Sequence, residues 1–239
     1  MSALKRFFVD KIEQVTELCG EEFEHAKNVL RLGAGDEVIL LDNSGKEYTA
    51  VIAQVEKKRM LLNIVREEVG TREADADVCL LFGYLKNADK NEFIVQKAVE
   101  LGVKKICVFS SEFSSAYMNA NKLERLNKVS KEAAKQCLRA TAPTIEYFDT
   151  LKGALESAND YENKIFACEF ASESNIKLEE IKGSTAIVIG SEGGFSQEEK
   201  LLADKLGYST LYLGKRILRA ETACIATCAL VMRALGELG

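Results

Sequence analysis

The sequence predicts an α/β protein in two parts: a small β-barrel, then a mostly parallel sheet covered by helices on both faces. Three observations predict it. Short apolar runs separated by turn residues crowd the first 70 positions, the pattern of a small barrel. From Val78 onward such runs alternate with helical periodicity, which is the grammar of βαβ units. Near the C-terminus two of these runs end in loops that lead straight into helices, the places where open α/β sheets bind ligands.

In chain order, residues 6–9 (RFFV) are expected as the first strand. A short helix is expected over 22–32, with Phe23, Ala26, Val29 and Leu30 on one side and Gly33 and Gly35 ending it. Strands follow over 38–41, 48–55 and 60–65, with Asn43-Ser44-Gly45 and the charged 56–59 as turns. The charged, weakly patterned stretch 66–77 is the expected linker. It places a barrel domain at 1–70 and the α/β domain at 71–239. Residues 78–82 form a buried strand, and Asp89 with Glu92 predicts a capping box for a helix reaching Leu101. Strand 106–109 completes a right-handed βαβ unit. A helix is expected over 122–140, before the single proline, Pro143. Further strands are expected near 145–148, 164–168, 186–189 and 210–213. Ser196 with Glu199 predicts a second capping box, and a long apolar helix starts near Ala220.

Composition narrows the function. The chain has 239 residues and is 47% hydrophobic, enough for a sizeable core. No run suits a signal peptide or a membrane span. Seven cysteines without a CxxC pair, and one histidine, give no convincing metal set. Cys224 and Cys228, four residues apart, read as small buried residues on one helix face. A reducing, cytoplasmic setting is therefore expected. The net charge of −5 argues against wholesale electrostatic binding of nucleic acid but leaves room for a local basic face.

The loop Gly190-Ser191-Glu192-Gly193-Gly194 is neither a Walker loop nor a Rossmann fingerprint. Glu192 inside it would repel a phosphate. The second loop, 213–219, crowds Lys215, Arg216 and Arg219 before a helix N-terminus, which ordinarily favours anions. Binding a carboxylate or an RNA phosphate would explain that crowding.

These residues also carry a resemblance. IGSEGGFSQEE together with LGKRILRAETACIAT resembles the two C-terminal motifs of the ribosomal RNA small subunit methyltransferase E family, part of the SPOUT superfamily. Upstream, Lys86, Lys90, Glu92, Gln96, Lys97, Ala98, Glu100, Leu101 and Gly102 resemble the family's K…K-x-E…Q-K-A-x-E-L-G segment. Glu132-Ala133 with Gln136 and Arg139 resembles its E-A-x-x-Q-x-x-R helix. Ser191 stands where the family often has Pro, and Ala220 where it often has Thr, so no hydroxyl chemistry is assigned at 220.

The resemblance implies a PUA-like barrel joined to an α/β domain with a C-terminal trefoil knot. It also implies a homodimer that methylates N3 of one uridine in 16S ribosomal RNA, using S-adenosylmethionine. Gly190, Glu192, Gly193, Gly194, Leu213, Gly214, Ile217, Leu218, Arg219, Glu221, Thr222 and Ala223 are then the expected cofactor residues, with the Cys168–Phe170 region, Phe170 above all. Arg219 is the expected electrostatic catalyst, with Glu192 or Glu221 orienting it or accepting a proton through water.

For RNA, the residues offer a basic helix face. At about 100° per residue, Lys128, Lys131, Lys135 and Arg139 fall within an arc of roughly 80°. The stretch 122–140 holds six cations against two carboxylates, a net +4. Lys86, Lys90, Arg6, Arg31 and His25 complete the expected RNA contacts. Two other readings stay open from sequence: a catalytically silent RNA-binding protein on the same fold, and a different α/β enzyme whose glycine loop holds a nucleotide.

Overall fold

The computed structural model describes residues 4–239, which divide into two compact units. The first comprises residues up to Glu73 together with Ala134–Ala142; the second comprises Ala74–Ala133 and Pro143–Gly239.

The first unit is built on β1 (Lys5–Phe8), β2 (Val15–Cys19), β3 (Glu37–Leu41), β4 (Lys46–Val55) and β5 (Arg59–Val69). They form one five-stranded sheet in the order β1-β3-β4-β5-β2. Only β1 and β3 run parallel. Register shifts between Thr49 and Ala50 and between Ile52 and Gln54 curl the long β4–β5 pair. Phe7, Leu18, Phe23, Leu40, Ile52, Met60 and Leu62 make its core.

Two expectations change here. The strand β2 is missing from the sequence reading, because only Thr16 and Leu18 of its five residues point inward. The helix expected over 22–32 is a short α1 (Gly20–Glu24) followed by a wider π turn, His25–Val29. It ends before Arg31, whose φ of +56° is left-handed.

The second unit alternates strand and helix: β6 (Val78–Gly83), α2 (Ala88–Glu100), β7 (Lys105–Phe109), α3 (Ala120–Gln136), β8 (Thr144–Phe148), α4 (Leu151–Glu156), β9 (Asn163–Ala167), β10 (Thr185–Ile189), α5 (Gln197–Lys205), β11 (Ser209–Leu211) and α6 (Ala220–Ala234). All strand pairs are parallel, in the order β11-β9-β10-β6-β7-β8. The chain steps outward from β6 to β8, then crosses back so that β10 fills the place between β6 and β9. The direction reverses there, and such a reversal leaves a crevice at the carboxyl ends of the strands.

Buried strands read as continuous apolar runs, and every residue of β6 and β10 is buried. Phe195 enters the core directly after the glycine loop, its ring centroid 4.1 Å from that of Phe166. The α2 cap is also revised. Asn87, not Asp89, is the N-cap, and its side chain accepts from Asp89 N–H at 2.8 Å. The helix expected to reach Ala140 stops at Gln136, and Leu138 turns left-handed at φ +65°.

Candidate active site

The strand β10 delivers the chain to Gly190, and the loop folds back at once, Ser191 bridging to Gly194. Close approach explains its glycines better than flexibility. Gly194 has φ +68°, and a Cβ there would stand 1.7 Å from Glu169 Oε1. That same oxygen accepts Phe195 N–H at 3.3 Å. A Cβ on Gly193 would meet Phe113 Cβ at 2.5 Å and its carbonyl oxygen at 3.0 Å. Across the crevice, a Cβ on Gly83 would meet Ser191 N at 2.5 Å. Ser196 then caps α5 in the expected box with Glu199.

The strand β11 delivers the second loop. Thr210 N–H donates to Asn175 Oδ1 at 2.6 Å and Tyr212 N–H to Ser174 Oγ at 2.8 Å, so the segment after β9 braces β11. Gly214 takes φ +100°, which an L side chain rarely adopts. Arg219 is the N-cap of α6 but makes no capping bond with its side chain. The guanidinium belongs to an exposed residue, and among the described residues it has no ion pair.

Between the two loops lies a cavity of about 620 Å³, within the size range of small-ligand sites. Of the expected cofactor residues, Gly190, Glu192, Gly193, Gly194, Leu213, Gly214, Ile217, Leu218, Arg219, Glu221 and Ala223 line it. Phe170 and Thr222 do not; both are exposed outside it. Cys168 and Glu169, in the expected 168–170 region, line it too, whereas Ala171 and Tyr212 line it without having been expected there. The available signal was position: Ala171 follows a strand at the carboxyl edge, as the two loops do.

Glu221, in the first turn of α6, pairs with Lys90 of α2 at 3.1 Å. Burial pushes the Glu221 carboxyl up. Its own backbone N–H, the Lys90 hydrogen bond and the charges of Lys90 and Arg219 outweigh that push and hold it below the ordinary value. It therefore stands as a carboxylate at neutral pH. Glu192 accepts Lys86 N–H at 3.1 Å, tying the glycine loop to the end of β6. Burial raises the Cys168 thiol, which keeps it protonated.

The expected RNA contacts separate into two groups. Lys86, Lys128, Lys131 and Arg31 are exposed, and His25 is half-buried with its ring 6.4 Å from that of Phe7. Exposure does not leave Lys128 alone, since it pairs with Glu124 one turn back at 3.4 Å. The others are more deeply engaged in ion pairs. Lys90 lines the cavity opposite Glu221. Arg6 pairs with Glu47 at 2.6 Å. Lys135 pairs with Glu22 at 3.0 Å, its side chain 8% exposed. Arg139 pairs with Glu73 at 2.9 Å, its side chain 3% exposed. The basic face expected along 122–140 is thus corrected at its C-terminal end. Lys135 sits in the last turn of α3 and Arg139 lies beyond its end, and Glu22 and Glu73 neutralise them inside the first unit.

Comparison with known proteins follows the same division. An RNA methyltransferase domain matches residues 72–232, and an RNA methyltransferase PUA domain matches 18–65. Ribosomal RNA small subunit methyltransferase E of Mesomycoplasma hyopneumoniae is 37% identical over 68% of this chain and 72% of its own. The protein of the same name from Bacillus subtilis is 29% identical over 92% and 93%. A solved ribosomal RNA small subunit methyltransferase E from Neisseria gonorrhoeae, bound to S-adenosyl methionine, superposes with a TM-score of 0.86 at 28% identity, covering 98% of each chain. A PUA-type sheet followed by a parallel α/β domain with its cavity at the carboxyl ends of the strands defines an RNA methyltransferase. More narrowly, the chain belongs to the ribosomal RNA small subunit methyltransferase E family.

Proposed function

We propose that the chain methylates N3 of one uridine in the 16S ribosomal RNA of the small subunit, with S-adenosylmethionine as the methyl donor. The observation that carries the reading is the cavity between the two C-terminal loops, set in a chain of this family. Its walls fit such a ligand. Gly190, Gly193 and Gly194 line the cavity, and a Cβ on any of them would press on the neighbouring Gly194 and Phe195, Phe113 or Glu169 and so distort its wall. Lys90, Lys215, Arg216 and Arg219 face Glu169, Glu192 and Glu221 around it, a mixed lining suited to a molecule carrying both charges. When bound, S-adenosylmethionine supplies a methyl group on a sulfonium sulfur.

The protein's task is then to make N3 nucleophilic. N3 carries a proton and attacks only as that proton leaves. Arg219, exposed and unpaired at the cavity edge, stabilises the developing negative charge on the uracil carbonyl oxygens. Glu221 is bound to Lys90 and held ionised, so it orients cations at the α6 N-terminus. Glu192 fixes the glycine loop through Lys86 N–H. Held between the two loops, the cofactor would supply its methyl group to N3 as the N3 proton leaves, with S-adenosylhomocysteine as the other product.

In this proposal RNA is held by the first unit and by the exposed Lys128 and Lys131. The chain acts in the cytoplasm as a homodimer, and the second unit carries the trefoil knot of the SPOUT superfamily. The small side of α6, Ala226 and Ala229 beside the exposed Leu230, suits a second copy. Among the described residues no helix is long and apolar enough to cross a membrane. The test is to map uridine methylation in ribosomal RNA from cells lacking the protein. Loss of one N3-methyluridine from the small-subunit RNA supports the proposal, and an unchanged map removes it.

A further inference from the structure

Segment 110–119 joins β7 to α3 at the carboxyl edge of the sheet. It is held firmly. Glu112 N–H donates to Glu199 Oε1 at 2.9 Å, Ser111 N–H to Ser114 Oγ at 2.8 Å, and Lys122 Nζ to Tyr117 O at 2.7 Å. Lys122 Nζ also lies 5.2 Å from the centroid of the Tyr84 ring. Yet this fixed segment leaves two large aromatic residues in water, Phe113 at 48% exposure and Tyr117 at 74%.

Phe113 is also the residue against which Gly193 packs, its Cβ 2.5 Å from where a Gly193 Cβ would stand. Gly193 lines the cavity. Single exposed apolar residues need no explanation. A rigidly held aromatic touching the cavity wall, on a segment tied to a lysine, matches how proteins hold unpaired nucleotides. The aromatic face stacks on a base, and the cation meets the backbone. Enzymes that modify a base must also take it out of its stack, and an aromatic platform beside the cavity replaces the stacking lost.

We infer that Phe113 is a stacking platform for an unpaired base of the RNA substrate beside the cofactor cavity. Tyr117 extends the platform, and Lys122 supplies positive charge to the backbone. The inference rests on the methyltransferase reading above.

The test compares wild type with Phe113→Ala and Phe113→Trp. It measures S-adenosylmethionine affinity by calorimetry, KM for small-subunit RNA in methyl transfer, and oligomeric state by sedimentation. Phe113→Ala is expected to raise the RNA KM about ten-fold or more, the order expected for one lost base–aromatic stack. Cofactor affinity should stay within about two-fold, and Phe113→Trp should restore the KM, since stacking tolerates any aromatic face. An unchanged RNA KM in Phe113→Ala overturns the inference. An equal loss of cofactor affinity also overturns it, making Phe113 a prop for the glycine loop. So does dissociation into monomers, which assigns the ring to an interface between copies. Wild-type protein that transfers no methyl group to small-subunit RNA overturns the functional reading itself, and the inference falls with it.

Discussion

Lys90 Nζ lies 3.1 Å from Glu221 Oε1, joining α2 to the first turn of α6 at the wall of the cavity. Among the described residues the other carboxylate oxygen, Glu221 Oε2, is buried without a hydrogen-bond partner. The carboxylate thus depends on one lysine and on the backbone N–H at the helix start.

Removing that lysine should be felt in both stability and binding. Lys90→Met is expected to destabilise the protein by about 2 kcal/mol at neutral pH, as for loss of a charged hydrogen bond. The Glu221 carboxyl sits lower in the folded state than its ordinary value of 4.5. The pair's contribution is therefore complete above that value and fades as pH falls through the lower, folded one. Unfolding curves at pH 7 and under increasingly acid conditions check this: the gap between wild type and Lys90→Met should close below about pH 4.5. A gap that holds constant with pH would show that another group carries the effect.

Gly194→Val should abolish cofactor binding while the core remains folded. The backbone there is left-handed at φ +68°, and the first added carbon meets Glu169 Oε1. Strain of about 1–3 kcal/mol falls on the loop that forms the cavity wall, while β10 before it is untouched. Calorimetry with S-adenosylmethionine, alongside circular dichroism, reads both effects. Wild-type affinity in this variant would place the ligand elsewhere.

The cations near α3 should divide by environment. Lys128→Ala with Lys131→Ala is expected to weaken RNA binding and lower its salt slope by about 2, with stability close to wild type. Arg139→Ala should instead leave Glu73 partly buried without its guanidinium, costing about 3 kcal/mol of stability. Salt titrations of RNA affinity and urea unfolding separate the two. A flat stability profile for Arg139→Ala contradicts the assignment of that side chain to the first unit's interior.

Arg219→Ala tests the chemistry. Transfer should fall by about two orders of magnitude or more, as for loss of one oxyanion-stabilising donor, with cofactor affinity retained. Near-normal transfer sinks the role given to Arg219. Loss of both shows a residue that shapes the pocket.

The sequence made the α/β half legible because its central strands β6 and β10 are buried, almost wholly apolar runs. The capping box at Ser196 could be read from two residues three apart. The strand β2 could not, since it offers only two inward side chains. Periodicity placed Lys135 and Arg139 on the same face as Lys128. It could not see Glu22 and Glu73, which reach them across 113 and 66 positions of chain. Most of the cavity was visible because its two loops follow strand ends. Lys90 was not assigned to it, because only the folded chain brings α2 beside α6.

The most direct measurement is methyl transfer itself. Purified protein is incubated with methyl-labelled S-adenosylmethionine and small ribosomal subunits from cells lacking it, and the RNA is digested and mapped by mass spectrometry. One labelled nucleoside is expected, a uridine methylated at N3 in 16S RNA, formed by wild type and lost in Gly194→Val. Label at another atom or in another RNA would contradict it, as would cofactor binding without any transfer.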